Sequence, residues 1–235
     1  AGPYAEGDAS LPIQILSKQW PKLVERGVLD LFYLECKLIP LLVSMRMKGA
    51  PVNVQKAEEL YDRFGEEMGR CEKELSNLAG QPVNPNAGES IKSAFNRLSI
   101  PLPKKLDKKT GEIKQSFAAP LLEEIEHPIA AKILEWRQLS KVRGTFVKGY
   151  IIDKNVAGRV YTSFHPLKGD GHGARSGRFA SSDPNLQNIP IRSEIGKLVR
   201  ALFECVFGGR WRSFDYSSIE YRLLVHYAVG PGADE

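Results

Sequence analysis

From Leu11 to about Gly49 apolar residues recur at helical spacing. Ile13, Ile15, Leu16, Trp20, Leu23 and Val24 lead to Gly27. Leu29, Leu31, Phe32, Leu34, Leu38, Leu41, Leu42 and Met45 then form a broad stripe that ends at Gly49. Asn53 reads as the N-cap of a longer, more polar helix running to Leu78 or Ala79. Leu60, Phe64, Met68, Cys71 and Leu75 line one face of it, and Gly80 closes it. Residues 81–116 are rich in Pro, Asn and Lys, with a short helix expected at Glu89–Leu98 and an exposed basic loop over Pro103–Gly111. A short helix around Ala118–Ile125 precedes a long one from Pro128, a residue suited to a first helical turn, to about Ile152. After Gly158 the pattern becomes strand-like over Arg159–Phe164. About the first 150 residues therefore read as all-helical and about the last 80 as mixed α/β, with a boundary near Asp153–Gly158 and no internal repeat.

Composition adds a partner class. With 42% hydrophobic and 26% charged residues the chain belongs with ordinary globular proteins rather than disordered ones. Its +5 charge is unevenly spread: residues 101–200 hold 18 Lys/Arg against 10 Asp/Glu, and the rest 15 against 18. Positive charge gathered in one block favours a polyanionic partner. Cys36, Cys71 and Cys205 are odd in number and share no metal-ligand or disulfide spacing, which points to a reducing compartment. No apolar run approaches a membrane span and no signal peptide is visible, so a cytoplasmic location without a membrane partner is expected. The first residue is Ala rather than Met, consistent with an internal fragment, a processed product or a truncated piece.

Three places carry chemistry. Arg137, Lys141 and Lys148, at offsets of 4 and 11 residues, fall on one face of an ideal helix. That face either solubilises the helix or lies along a phosphate backbone. Residues 169–192 are too long and too rich in small residues for a simple connector, and they offer Arg, Ser, Asn and Gln donors. Such donors serve phosphates, sugars and base edges, or else one another within the loop. Finally, Phe214-Asp215-Tyr216-Ser217-Ser218-Ile219-Glu220-Tyr221-Arg222 reads as the end of a buried strand that delivers one carboxylate, followed by a helix with a second. Leu223, Leu224, Val225, Tyr227 and Ala228 give that helix an apolar body.

Ser176-Gly177-Arg178, then Ser181-Ser182-Asp183-Pro184-Asn185-Leu186-Gln187-Asn188-Ile189-Pro190, then the Asp215–Arg222 segment and His226 closely resemble family A DNA polymerases, relatives of bacterial DNA polymerase I. Two motifs in the right order about 25 residues apart make the likeness specific. Met45–Gly49, Asn84-Pro85-Asn86, and His127-Pro128-Ile129 leading to Lys141 and Thr145 resemble the family's helical thumb. Tyr4 and Asp8 resemble the last motif of its 3′–5′ exonuclease domain. The resemblance implies an α+β chain: an exonuclease-like tail over 1–28, a mainly helical thumb over 29–155, and the N-terminal part of a mixed α/β palm over 156–235.

The same resemblance implies template-directed nucleotidyl transfer to a primer 3′-hydroxyl, assisted by two Mg²⁺ ions, with primer-template DNA and deoxynucleoside triphosphates as partners. Asp215 and the Tyr216 carbonyl would be catalytic metal ligands. Ser217, Ser218, Ile219 and Glu220 would form the nucleotide site, with Glu220 excluding a ribose 2′-hydroxyl. For Glu220, a helix N-terminal charge or a salt bridge to Arg222 stays open as the plainer reading. Arg178 would reach minor-groove acceptors at the primer terminus. Ser181, Asn185, Gln187 and Asn188 would touch template and primer, and Arg137, Lys141 and Thr145 the duplex backbone. His226 reads better as a packed helix histidine.

The chain departs from the family pattern at Ser218, where Gln is common, and in the longer, Gly-rich His165–Ala174 stretch, which points to a phage-type branch. The family's fingers helix and second palm carboxylate do not occur in residues 1–235. The chain alone is therefore expected to be inactive. It would be a fragment, a duplex-binding module, or one half of a split enzyme whose second polypeptide supplies the remainder.

Overall fold

The computed structural model describes residues 2–107, 111–169, 171, 173–206 and 208–230. Lys108, Lys109 and Thr110 of the basic loop, and Asp170 and His172 of the Gly-rich segment, lie outside the described residues. The chain divides into two compact units, Ala1–Glu204 and Cys205–Glu235.

In the first unit, α1 (Gly2–Glu25) begins well before the expected Leu11 and turns through Gly27, at φ +64°, into α2 (Leu29–Lys48). Trp20 meets Phe32 and Tyr33 edge to face at 5.9 and 6.3 Å, which ties the two helices together. Their apolar stripe stays largely outside the core, since Leu42 is the one buried residue among those described in α2. Tyr4 and Asp8 lie one helical turn apart on α1, both exposed.

Next comes α3 (Val54–Ala79), which follows its local signals closely. The Asn53 side chain accepts from the Lys56 amide at 3.0 Å, satisfying an orphan donor, and Gly80 at φ +64° ends the helix in the left-handed conformation. Its buried row of Leu60, Phe64, Cys71 and Leu75 is that expected from the spacing. Burial of an aromatic such as Phe64 stabilises by roughly 2–3 kcal/mol.

α4 (Gly88–Arg97), α5 (Ala119–Glu123) and α6 (Pro128–Lys141) complete the helical body. His127 caps α6, its Nδ1 accepting from the Ile129 amide at 3.2 Å. After Lys141 the helix does not stay α. Val142–Ile152 is a π segment, whose wider turn carries i→i+5 bonds. Val142, Phe146, Val147 and Ile151 are buried there, and this spacing of four to five residues keeps one face on the core. Two apolar clusters result. One packs Phe64 with Val147, Ile151, Val160 and Val199; the other packs Leu75 with Ile91, Phe95, Ile129 and Ile133. Trp136, a member of the first, donates from Nε1 to Glu72 at 2.9 Å.

Short antiparallel strands correct three expectations. β1 (Ala50–Pro51), β4 (Asn155–Val156) and β5 (Arg159–Val160) form a sheet in the order β1-β5-β4, registered by Ala50↔Val160 and Asn155↔Val160. The basic loop is in part an exposed hairpin of β2 (Lys104–Leu106) and β3 (Ile113–Gln115), so residues before 150 are not all helical. The single strand expected over Arg159–Phe164 is split: its second half is β6 (Ser163–His165), paired with β7 (Ala180–Ser182). The boundary near 153–158 is not a break in packing either. β5 pairs with β1, the Asn53 amide donates to the Leu202 carbonyl at 2.8 Å, and Val160, Val199 and Leu202 share the cluster of Phe64. Residues 194–200 form α7 (Glu194–Arg200), capped by the Ser193 hydroxyl.

In the second unit, no strand forms among the described residues, and Phe214 is 88% exposed. The buried strand end expected before Asp215 is therefore absent. Without a paired strand the backbone of 209–216 has no ladder to join, so it stays irregular. α8 (Ile219–Tyr227) follows, with no buried residue.

Candidate nucleic-acid interface

The loop that follows β7 is built from the inside outward. Ser182 sits opposite Ser163 at the end of the β6–β7 pair, and just beyond that pair the Thr162 hydroxyl donates to the Ser182 and Pro184 carbonyls at 3.1 and 2.7 Å. Pro184 also accepts from the Leu186 amide at 3.1 Å, which starts a single 3₁₀ turn over Leu186–Asn188. His165 Nε2 meets the Ser182 hydroxyl at 2.8 Å. The Asp183–Pro184 peptide is cis, and Asp183 has φ +55°.

Ser181, expected to touch DNA, is buried at 4% exposure. Its hydroxyl points to Asn185 Oδ1 at 3.0 Å and Gln187 Oε1 at 3.4 Å, so it ties the loop together instead of facing a ligand. Asn185 Oδ1 also accepts the Gln187 amide at 3.2 Å, and Gln187 Nε2 donates to the Phe179 carbonyl at 3.2 Å. The open alternative of bonding within the loop thus holds for much of Asn185 and Gln187. Arg178 and Asn188 are exposed in the same loop region.

The row of Arg137, Lys141 and Lys148 does not survive as a row. Arg137 is half-buried, and its guanidinium donates to the carbonyls of Pro85, at 2.8 Å, and Phe117. Burial also pushes its pKa down. It clamps the loops at 85 and 117 onto α6 and is spent as a phosphate contact. Lys148 sits in the π segment, where a 3.6-residue period no longer applies, and pairs with Asp153 at 3.2 Å. Lys141 and Thr145 stay exposed, without a side-chain partner among the described residues.

In the second unit Asp215, Tyr216 and Ser217 are exposed, and Ser218 has φ +53°, a left-handed conformation that costs a non-glycine residue about 1–2 kcal/mol. Ile219 and Glu220 open the first turn of α8, where the helix dipole favours an acid. Arg222 Nε donates to the Ser217 carbonyl at 3.0 Å. His226 is exposed and stacks edge to face on Tyr227 at 4.9 Å, not packed in a core as expected. Among the described residues no three His, Cys, Asp or Glu are grouped to hold a metal ion. Mg²⁺ takes six oxygens and commonly fills several of them with water or substrate phosphate, so one carboxylate with one carbonyl suits part of its shell and leaves the rest to further ligands.

The sequence profile of DNA polymerase family A matches residues 54–232. The chain belongs to this family. DNA polymerase I of Chloroflexus aurantiacus is 35% identical over 235 residues, which are 96% of this chain and 24% of the relative. The DNA-directed DNA polymerase of Pseudomonas phage M6 is 31% identical over 97% of this chain and 35% of its own length. The thermostable DNA polymerase I of Thermus aquaticus is 34% identical over 93% and 26%. The chain thus spans only a quarter to a third of these relatives. The POL domain of Pol1 from M. smegmatis, solved with DNA primer-template and dNTP, superposes with a TM-score of 0.58 at 27% identity over 72% of this chain and 29% of that one. This likeness agrees with the α+β class of a family A polymerase, helices with small sheets.

Sequence reasoning missed Thr162 and the inward turn of Ser181. A lone Thr in a β-branched run reads only as strand, and a Ser in a polar loop reads as solvent-facing. It also missed the Lys56–Glu204 ion pair, whose members lie far apart in the chain.

Proposed function

We propose that this chain is the thumb and the first part of the palm of a template-directed DNA polymerase, and that it grips primer-template DNA while lacking chemistry of its own. The observation that carries this reading is the family match over residues 54–232, supported by a neighbour solved with primer-template and dNTP. Residues 29–155 serve as thumb and 156–235 as the start of the palm; residues 1–28, with Tyr4 and Asp8, are the tail of an exonuclease domain. Lys141 and Thr145 face the duplex backbone. Arg178, Asn185, Gln187 and Asn188 serve base and sugar edges, with Ser181 holding that loop from within. Ser217, Ser218, Ile219 and Glu220 form one wall of the deoxynucleoside triphosphate site, Glu220 against the 2′-position. Asp215 and the Tyr216 carbonyl contribute part of a divalent metal site, two Mg²⁺ ions in the complete enzyme. The remaining ligands and the fingers come from palm and fingers sequence elsewhere in the enzyme or in a second polypeptide.

The test is binding of the purified chain to a labelled primer-template at several salt concentrations. Affinity is expected to fall steeply with salt as counterions are released. A slope near zero overturns the duplex grip. Clear primer extension by the chain, free of contaminating polymerase, overturns the absence of chemistry.

A further inference from the structure

The geometry points to Thr162 as a positioning residue that holds the Pro184–Asn188 turn so that Asn185 meets the duplex only as a hydrogen-bond donor. This deepens the duplex-binding reading above and rests on it.

Thr162 is buried at 6% exposure, and its one hydroxyl proton is shared between the Ser182 and Pro184 carbonyls. Pro184 accepts a second bond from the Leu186 amide, so both of its acceptor positions are filled and the turn is pinned at its base. At the next residue Asn185 Oδ1 accepts from the Gln187 amide and faces the Ser181 hydroxyl. A backbone N–H can only donate, so the Asn185 amide cannot flip without breaking that bond. Its oxygen is committed inward, and its Nδ2 is left as the free group, without a partner among the described residues. Gln187 is fixed in the same way, since the Phe179 carbonyl can only accept from Nε2. At Asn185 the turn thus commits the acceptor and leaves the donor.

The complementary ligand is a surface of acceptors. The minor-groove edge of every base pair carries purine N3 or pyrimidine O2 acceptors, so a donor at Asn185 finds an acceptor whatever the sequence. Thr162 touches none of this. It acts by holding Pro184, and through it the turn that orients Asn185.

The experiment measures primer-template affinity of the chain for Thr162→Val, Thr162→Ser, Asn185→Ala and Asn185→Ala/Thr162→Val, with folding followed by circular dichroism. Thr162→Val is expected to weaken binding about fivefold to tenfold, the worth of one lost hydrogen bond, with an unchanged salt slope because no phosphate contact is lost. Thr162→Ser, which keeps the hydroxyl, is expected to restore affinity to within about twofold. In the Asn185→Ala background Thr162→Val is expected to change affinity less than about twofold, the non-additivity of one shared path. Ile133→Val, in the other apolar cluster, supplies a destabilised control that keeps full affinity.

An unchanged affinity in Thr162→Val, or an equal loss with and without Asn185, overturns the positioning role. If Asn185→Ala binds like the parent, the duplex-binding reading stands and this inference falls. If the parent chain does not bind primer-template at all, both fall. Should Thr162→Val not fold, Thr162→Ala takes its place, and failure of both to fold makes Thr162 a fold determinant instead.

Discussion

Helices α3 and α8 both carry apolar residues at helical spacing, but they use them differently. Phe64 and Leu75 of α3 are fully buried, whereas Leu223, Leu224 and Val225 of α8 are 50%, 67% and 62% exposed. α3 finds its partners in α4, α6 and the π segment, all in the same compact unit. α8 lies in a unit with no buried residue among those described, and this unit also carries Asp215 and Glu220. The difference teaches that an apolar pattern states which face wants burial and is silent on what buries it. The chemistry-bearing motif is local in sequence, while no described residue of its own unit is buried around it.

Truncation of the two helices gives the widest separation. Phe64→Ala is expected to cost about 3–5 kcal/mol in urea unfolding, because a fully buried ring leaves a cavity. A cost below about 1 kcal/mol would mean that the α3 cluster is not the core of the chain. Asn53→Ala comes next. Its side chain caps α3 and donates to Glu204 at 3.0 Å, so a loss of about 1–2 kcal/mol is expected.

A smaller, pH-dependent effect belongs to Glu204. Its hydrogen bonds from Lys56 and Asn53 hold the carboxyl below the ordinary carboxylate value. A depressed carboxylate contributes stability that is fully present above its ordinary value of 4.5 and is lost as pH falls through the folded value beneath it. The apparent Tm of the parent should therefore drop more steeply than that of Glu204→Gln below about pH 4.5, and the two should run parallel above about pH 6. Smallest of all is Leu224→Ala in α8, expected within about 0.5 kcal/mol of the parent, since no buried contact is removed. A loss of several kcal/mol there would erase the contrast between the helices.

What was legible in the sequence was whatever is decided by near neighbours. Asn53 and Gly80 mark the ends of α3 because capping is a matter of three or four residues. Arg159–Phe164 reads as one strand in sequence because its partners, Ala50–Pro51 and Ala180–Ser182, are distant and split it between two sheets. Arg137 falls on a basic face by spacing alone because the carbonyls that claim it lie 52 and 20 residues away. The π segment then moves Lys148 out of phase, and nothing in Val142–Ile152 announces it beyond two glycines. At the candidate site the motifs themselves were readable. The burial of Ser181 was not, since its acceptors are set by a turn that Thr162 anchors from the link between β5 and β6.

The hydrogen bond from Trp136 to Glu72 has a spectroscopic consequence. The chain holds three tryptophans: Trp20 of α1 against α2, Trp136 8% exposed in the cluster of Phe64, and Trp211 61% exposed in the segment before Asp215. Each region thus bears its own intrinsic fluorophore. Iodide reaches Trp211 and is shielded from Trp136, so the quenchable fraction of emission follows the carboxylate segment while the shielded fraction reports the helical body. With Trp20 replaced by Phe, covering of residues 205–230 by any partner becomes visible without a label.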